Sequence, residues 1–144
     1  ALPILLPDAA EFTDVSTSLT EAFKTENAVT GNYAATASDG SAAGYAVMAA
    51  PRGFGGEILM IVGVSMEGTV TGVVITEMSE TAGLGAKAGD PAFLSQYTGK
   101  NDSLSVVKGE AGDNQISAIT GATITSRAVT DGVRAAIKAA AEVA

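Results

Sequence analysis

The sequence predicts an α+β fold, with a largely antiparallel sheet and flanking helices in a single domain over residues 1–144. Two apolar runs, residues 57–65 and 69–77, are separated by turn residues 66–68, a pattern that predicts a β-hairpin. Residues 126–143 repeat apolar side chains at nearly every fourth position, which predicts a long helix with one buried face. Hairpin-linked strands with helices at the ends are typical of α+β proteins.

The N-terminal third predicts one helix followed by little regular structure. Asp8 is a suitable cap for a helix over residues 9–24. Residues 27–44 are small and polar and are expected to form a loop with at most a short strand, and residues 45–50 predict a strand that Pro51 ends. The helix prediction rests on apolar residues at helical spacing, namely Phe12, Val15, Leu19, Ala22 and Phe23.

The remaining segments alternate loops with short elements. Residues 51–56 and 80–89 are rich in glycine and predict loops. Asp90-Pro91 is a favourable helix start, and a short helix is expected to about Thr98. Two further short strands are expected before the last helix, at residues 104–108 and 116–119.

Composition excludes several classes of function. The net charge of −8 opposes binding to nucleic acid, because its phosphates would be repelled. The chain has no Cys and no His, so disulfides, thiol nucleophiles, Ser-His-Asp triads and His metal sites are excluded. We therefore expect no catalytic residue and no metal site, and any chemistry would be carried by a cofactor.

The segment from Ser117 to Arg127 combines hydroxyl and small residues and leads into the last helix. Two interpretations follow from the residues alone. Thr125 or Ser126 caps the helix, or the free N–H groups at the helix start hold a phosphate, with hydroxyls around it and Arg127 offsetting its charge. The segment lacks the spacing of a P-loop and of a dinucleotide-binding fingerprint.

Over residues 44–133 the sequence resembles the FMN-binding domain family. That family includes the G subunit of the Rnf electron-transport complex, which is the closer likeness, and the C subunit of the sodium-pumping NADH:quinone oxidoreductase. Its flavinylation motif resembles residues 120–126, and its Glu-Thr-Pro-Gly-Leu-Gly loop resembles residues 80–85. Two other segments follow in the family's order, Gly53-Phe54-Gly55-Gly56 and Phe93…Gln96-Tyr97…Gly99-Lys100.

The resemblance implies that FMN is joined by its phosphate to a threonine through a phosphoester bond. Thr123 is the acceptor by motif position, with Thr125 as the runner-up, and a separate flavin transferase would make the bond from FAD. Glu80 is expected to accept a bond from the flavin ring or to cap its own loop, and Phe54 to contact the flavin or a partner. The implied cofactor-binding residues are Glu80, Thr81, Gly83, Leu84, Gly85, Thr120, Gly121, Ala122, Thr123, Ile124, Thr125 and Ser126.

The resemblance further implies electron transfer within a membrane ion-translocating oxidoreductase complex, on its extracytoplasmic face, with other membrane subunits as partners. Family members carry one N-terminal transmembrane helix, and this chain, which begins at Ala1, is expected to be the domain that follows it. Two alternatives remain open. The chain could be the flavin module of another extracytoplasmic reductase, or a non-catalytic binding module whose Thr-Gly-Ala-Thr is only a helix cap.

Overall fold

The computed structural model describes Leu6, residues 9–80 and residues 85–143. Within these residues, the first five strands form one antiparallel sheet in which each strand pairs with its neighbour in sequence. A separate pair of short strands is parallel. The prediction of an α+β fold with a largely antiparallel sheet is confirmed. The strands are β1 (Glu11–Asp14), β2 (Val29–Thr36), β3 (Ala42–Ala49), β4 (Leu59–Val64), β5 (Val70–Glu77), β6 (Ser105–Val107) and β7 (Gln115–Ser117).

Three α-helices accompany the sheet: one precedes β2, one follows β5, and one ends the described chain. They are α1 (Glu21–Asn27), α2 (Pro91–Leu94) and α3 (Thr123–Val143), accompanied by 3₁₀ turns at Ser16–Ser18, Gly85–Gly89 and Ser95–Tyr97. Among the residues that the structure describes, no helix has the length and apolar character needed to cross a membrane.

The main core lies between α3 and one face of the sheet. Val129 and Val133 of α3 are fully buried, as are Val47 and Val62 of the sheet, and all four belong to one apolar cluster. Burying a side chain of this size contributes roughly 1.5–3 kcal/mol. The predicted apolar face of the last helix is therefore confirmed.

The predicted helix over residues 9–24 is wrong for most of its length. Residues 11–14 form β1, which pairs with residues 33–36 of β2, and α1 begins only at Glu21. Its cap is Thr20, whose Oγ1 accepts a hydrogen bond of 3.0 Å from Phe23 N. Asp8, the expected cap, lies outside the described residues.

The helical spacing of the apolar residues predicted the wrong element because these residues pack in two different clusters. Leu19 is buried in the main core, whereas Phe12 packs in a second cluster with Ala35 and Tyr33. Pairing with β2 thus decides the conformation of residues 11–14 over their local pattern.

The predicted loop over residues 27–44 is also wrong, because most of it forms β2 and the start of β3. These residues are mainly Ala, Gly, Thr and Asn, which carry a weak strand signal. Pairing on both sides supplies the missing preference. Asn32 is fully buried within β2, where its Nδ2 donates to Ala139 O of α3 at 3.4 Å.

The predictions of β3, of the β4–β5 hairpin, of the short helix and of the two short strands are confirmed with shifted ends. In the predicted loop over residues 80–89, Gly85–Gly89 form a 3₁₀ helix, and residues 81–84 lie outside the described residues. β4 and β5 form the predicted hairpin, and Gly68 in its turn has a φ of +82°. A short helix begins at Pro91, and β6 and β7 match the two predicted short strands. The last helix begins at Thr123, three positions earlier than predicted, so the hydroxyl-rich segment forms its first turn.

Gly132 lies in the middle of α3, where Ala is ordinarily favoured over Gly by about 1 kcal/mol. A Cβ at this position would lie 2.5 Å from Met60 Sδ and 2.9 Å from Pro51 Cγ. We expect Gly132→Ala to lower the free energy of unfolding by about 1–3 kcal/mol in urea denaturation, because overpacking outweighs helix propensity. Lys138→Ala, at an exposed position of α3, is the control. A stabilised Gly132→Ala variant would contradict this close approach.

Candidate functional site

The entry into α3 is fixed by the side chain of Ser126. Its Oγ accepts a hydrogen bond from Ile119 N and donates one to Ala122 O, both at 2.9 Å. Gly121 has a φ of +77°, a left-handed conformation that favours glycine. Thr125 and Ser126 thus lie inside the helix, and neither is its N-cap.

The first turn of α3 presents free backbone donors. Its first helical bond runs from Ser126 N to Ala122 O at 3.0 Å, so the N–H groups of Thr123, Ile124 and Thr125 have no helical acceptor. No other backbone acceptor for these three groups is found in the described part of the chain. The partial positive charge of a helix N-terminus and free N–H groups suit an anion.

The carboxylate of Glu80 connects this turn to the glycine loop at residues 53–56. Its Oε1 accepts hydrogen bonds from Phe54 N at 2.7 Å and from Thr125 Oγ1 at 2.6 Å. Its Oε2 accepts from Gly55 N at 2.6 Å. One buried side chain therefore ties two segments that lie far apart in sequence.

Glu80 is ionised at neutral pH. Burial by itself raises the pKa of a carboxyl group, because the charged form loses solvation. The hydrogen bonds from Thr125 and from the backbone of Gly55 and Phe54 act in the opposite direction, and together they hold the pKa of Glu80 below its ordinary value of 4.5.

Three glycines make room for the Glu80 side chain. A Cβ at Gly53 would lie 2.6 Å from Glu80 Oε1, and one at Gly55 would lie 2.9 Å from Oε2. A Cβ at Gly85 would lie 2.8 Å from both Glu80 Cβ and Thr125 Oγ1. A Cβ at Gly53 would also lie 2.7 Å from Ile58 Cδ1, and one at Gly55 would meet the backbone oxygen of Ser79, so the lack of side chains in the 53–56 loop serves the close packing of this loop as well as the carboxylate.

A pocket of about 420 Å³ lies in front of this arrangement. Its volume falls within the range of small-molecule sites. Phe54 and Ile124 present apolar side chains that are 70% and 57% exposed. The lining residues are Phe54, Gly85, Gly121, Ala122, Thr123, Ile124 and Thr125.

The predicted site residues are divided among several positions. Glu80 and Ser126 are buried and do not belong to the pocket lining, and Thr120 is exposed beside it. Arg127 is exposed and borders a different depression, and it is absent from the lining of this pocket. Thr81, Gly83 and Leu84 lie outside the described residues.

Two residues for which the sequence suggested no role in the site support the segment that leads to it. Gln96 holds Ser117 in place: its Nε2 donates to Ser117 O at 3.2 Å and its Oε1 accepts from Ser117 N at 2.7 Å. Tyr97 OH lies 2.7 Å from Thr130 Oγ1, which donates in turn to Ser126 O. Burial raises the pKa of Tyr97, which therefore stays protonated and donates this bond. Their spacing in the sequence matched the family, but the contacts themselves are long-range.

Comparison with known proteins identifies the family. Residues 53–138, which include all of the pocket lining, match the FMN-binding domain. The chain belongs to the FMN-binding domain family.

Among the described residues, no cluster of carboxylates suited to a metal ion was found.

Two curated members of the family show how far the similarity extends. The G subunit of the Na(+)-translocating ferredoxin:NAD(+) oxidoreductase complex of Acetobacterium woodii is 46% identical over 106 residues, covering 70% of this chain and 51% of that protein. The G subunit of the ion-translocating oxidoreductase complex of Methanosarcina acetivorans is 35% identical over 138 residues, covering 95% of this chain and 71% of that protein. The chain thus spans about half the length of the Acetobacterium relative.

Two solved structures share the fold of this chain. The crystal structure of Shewanella oneidensis NqrC has a TM-score of 0.66 at 27% identity, covering 72% of this chain and 53% of that chain. The C subunit of the Na(+)-translocating NADH-quinone reductase from Parabacteroides distasonis has a TM-score of 0.68 at 23% identity, covering 93% of this chain and 77% of that chain. The second similarity supports the fold alone.

The depressed pKa of Glu80 predicts a pH-dependent contribution to stability. We expect Glu80→Gln to lower the free energy of unfolding at pH 7 by about 1.5–3 kcal/mol, because hydrogen bonds to a buried charge are lost. The native chain is more stable than Glu80→Gln at pH values above 4.5, the ordinary pKa that Glu80 has in the unfolded chain. This difference in unfolding free energy is lost as the pH falls through the lower pKa that Glu80 has in the folded chain. Urea denaturation between pH 7 and pH 3 would measure this difference.

Glu77→Gln is the matched control for this series, since Glu77 is exposed and undergoes the same chemical change. Its unfolding free energy is expected to stay within about 0.5 kcal/mol of the native value. A constant offset between Glu80→Gln and the native chain at every pH would show that the pKa of Glu80 is not depressed.

Proposed function

We propose that this chain carries FMN joined by a phosphoester bond to Thr123, and that it transfers electrons as a subunit of a membrane ion-translocating oxidoreductase complex. The observation that carries the proposal is the different environment of the two candidate threonines. Thr123 is partly exposed and lines the pocket, whereas Thr125 is only 2% exposed and its hydroxyl is bonded to Glu80.

The fit of a phosphate follows from the first turn of α3. Thr123 stands at the first helical position, so a phosphoester on its hydroxyl would lie at the positive end of the helix. The negative charge left on the phosphodiester would gain roughly 0.3–1 kcal/mol from this position. The free N–H groups of Ile124 and Thr125 are donors within the same turn.

The fit of the flavin ring rests on the apolar walls. Phe54 and Ile124 offer large side chains at the pocket, and their exposed surface is what a planar aromatic ring would cover. FMN, when bound, supplies a ring system that takes up one or two electrons. The chain's own residues hold the ring, shield it from water and keep it attached between turnovers.

A flavin transferase would attach FMN to Thr123. The Thr123 hydroxyl oxygen would attack the phosphorus of the FMN half of FAD, so that a new oxygen–phosphorus bond would form and the bond to AMP would break. AMP would leave with the bridging oxygen, and the hydroxyl proton would pass to the transferase or to AMP. The chain would gain the mass of FMN less one water.

The proposed place of the chain in a membrane complex rests on its similarity to the relatives. Two of them are named as G subunits of ion-translocating oxidoreductase complexes, one of which acts between ferredoxin and NAD(+). By this similarity, the partners of the chain would be the other membrane subunits of such a complex. The extracytoplasmic face is the proposed location, on the resemblance of the motifs alone.

Loss of the Thr123 hydroxyl tests the covalent attachment. We expect the native chain co-expressed with a flavin transferase to gain the mass of FMN less one water, and Thr123→Ala to gain nothing. Thr123→Ser keeps a hydroxyl and is expected to be flavinylated. Intact-mass measurement of each protein, with and without the transferase, gives the result.

Thr30→Ala, at an exposed position of β2, controls for the loss of a threonine elsewhere. It is expected to gain the same mass as the native chain. Covalent flavin on Thr123→Ala would move the acceptor to Thr125, and a native chain without any gain would contradict the phosphoester.

A further inference from the structure

We propose that Glu80 is a positioning residue for the flavin, which fixes the Phe54 wall against the first turn of α3 and lowers the reduction potential of the flavin. The inference rests on the proposed function, because it concerns how the same pocket holds and tunes its cofactor. It differs from the expectation that Glu80 itself bonds the flavin ring.

Glu80 is the connection between the two walls of the pocket. Its carboxylate accepts hydrogen bonds from the 53–56 loop and from Thr125 in the first turn of α3. In the part of the chain described, no hydrogen bond joins these two segments directly. Phe54 is 26 positions away from Glu80 and Thr125 is 45 positions away. Without the carboxylate, no hydrogen bond described here would hold Phe54 in register with Thr123 across the pocket.

The surrounding glycines indicate that the space is shaped for this side chain. Gly53, Gly55 and Gly85 each approach Glu80 so closely that a Cβ would lie within 3 Å of it. A shorter side chain at position 80 would therefore leave a void lined by backbone, and the loop would have to move to fill it.

The Glu80 carboxylate lies behind the lining of the pocket. The carboxylate is bonded to two lining residues, Phe54 and Thr125, but is not itself part of the lining. Neither ion pair in the described residues involves it, so no cation within a salt bridge offsets its charge. A buried negative charge is weakly screened, and it disfavours adding electrons to a ring held nearby.

The reduction potential separates this role from a purely structural one. We expect FMN-loaded Glu80→Gln, which is nearly isosteric but uncharged, to shift to a higher reduction potential than the native chain in a spectroelectrochemical titration. Glu77→Gln removes a charge from an exposed position three residues away and is expected to leave the potential unchanged. A Glu80→Gln potential equal to that of Glu77→Gln would overturn the electrostatic part of the proposal.

The positioning role is tested without flavin. We expect the amide hydrogens of Phe54 and Gly55 to exchange at least ~10-fold faster in apo Glu80→Gln than in the native apo chain, measured by NMR, because a bond to a charged acceptor is lost. Gly55 N–H would face the amide group of the Gln rather than a carboxylate oxygen. Unchanged exchange at both amides would overturn the positioning role.

A second pair of variants keeps the test decisive if Glu80→Gln fails to fold. Thr125→Val removes the hydroxyl that binds Glu80 at nearly constant volume, and Thr125→Ser retains it. We expect Thr125→Val to speed the exchange of the Phe54 amide, and Thr125→Ser to behave as the native chain. Equal exchange in the two variants would contradict a link through Glu80.

Failure of this inference is distinguishable from failure of the proposed function. A native chain that takes up no FMN would overturn both. A native chain that is loaded normally, with Glu80→Gln unchanged in potential and in amide exchange, would overturn this inference alone.

Discussion

The packing of α3 against the sheet forms the main core of the protein and holds the helix that carries the site. Gly132 allows the helix to approach Met60 closely, and Val129 and Val133 are buried in the core. The helix begins at Thr123, and the hydrogen bonds of Ser126 Oγ with Ile119 N and Ala122 O hold its first turn in place. The positions of the free N–H groups, of the hydroxyl of Thr123 and of the buried Thr125 follow from helix geometry.

The site divides its polar groups between two tasks. Ser126, Thr125 and Glu80 use their hydrogen bonds to hold backbone segments together, and all three are buried. Thr123 is partly exposed at the pocket. This arrangement suits the proposed attachment of FMN to Thr123, because buried polar groups fix the geometry behind a partly exposed hydroxyl.

Local patterns in the sequence predicted the elements whose signal is local. The β4–β5 hairpin and the apolar face of α3 were recognisable because each element carries its own periodicity. β2 was missed because Ala, Gly and Asn contribute little preference, and its conformation comes from β1 and β3 on either side. The start of α3 was displaced because hydroxyl residues favour caps, whereas here Ser126 bonds back to Ala122 from within the helix. The hydrogen bonds of Glu80 could not be predicted from local sequence, since its partners Phe54 and Thr125 are 26 and 45 residues away.

Fragment-ion mapping of the native chain, after co-expression with a flavin transferase, tests whether the Thr123 hydroxyl carries the flavin. We expect the flavin phosphate on Thr123 and an unmodified Thr125, because the side chain of Thr123 is partly exposed at the pocket whereas Thr125 is buried. A flavin located on Thr125, or a chain that binds flavin without any covalent attachment, would contradict this expectation.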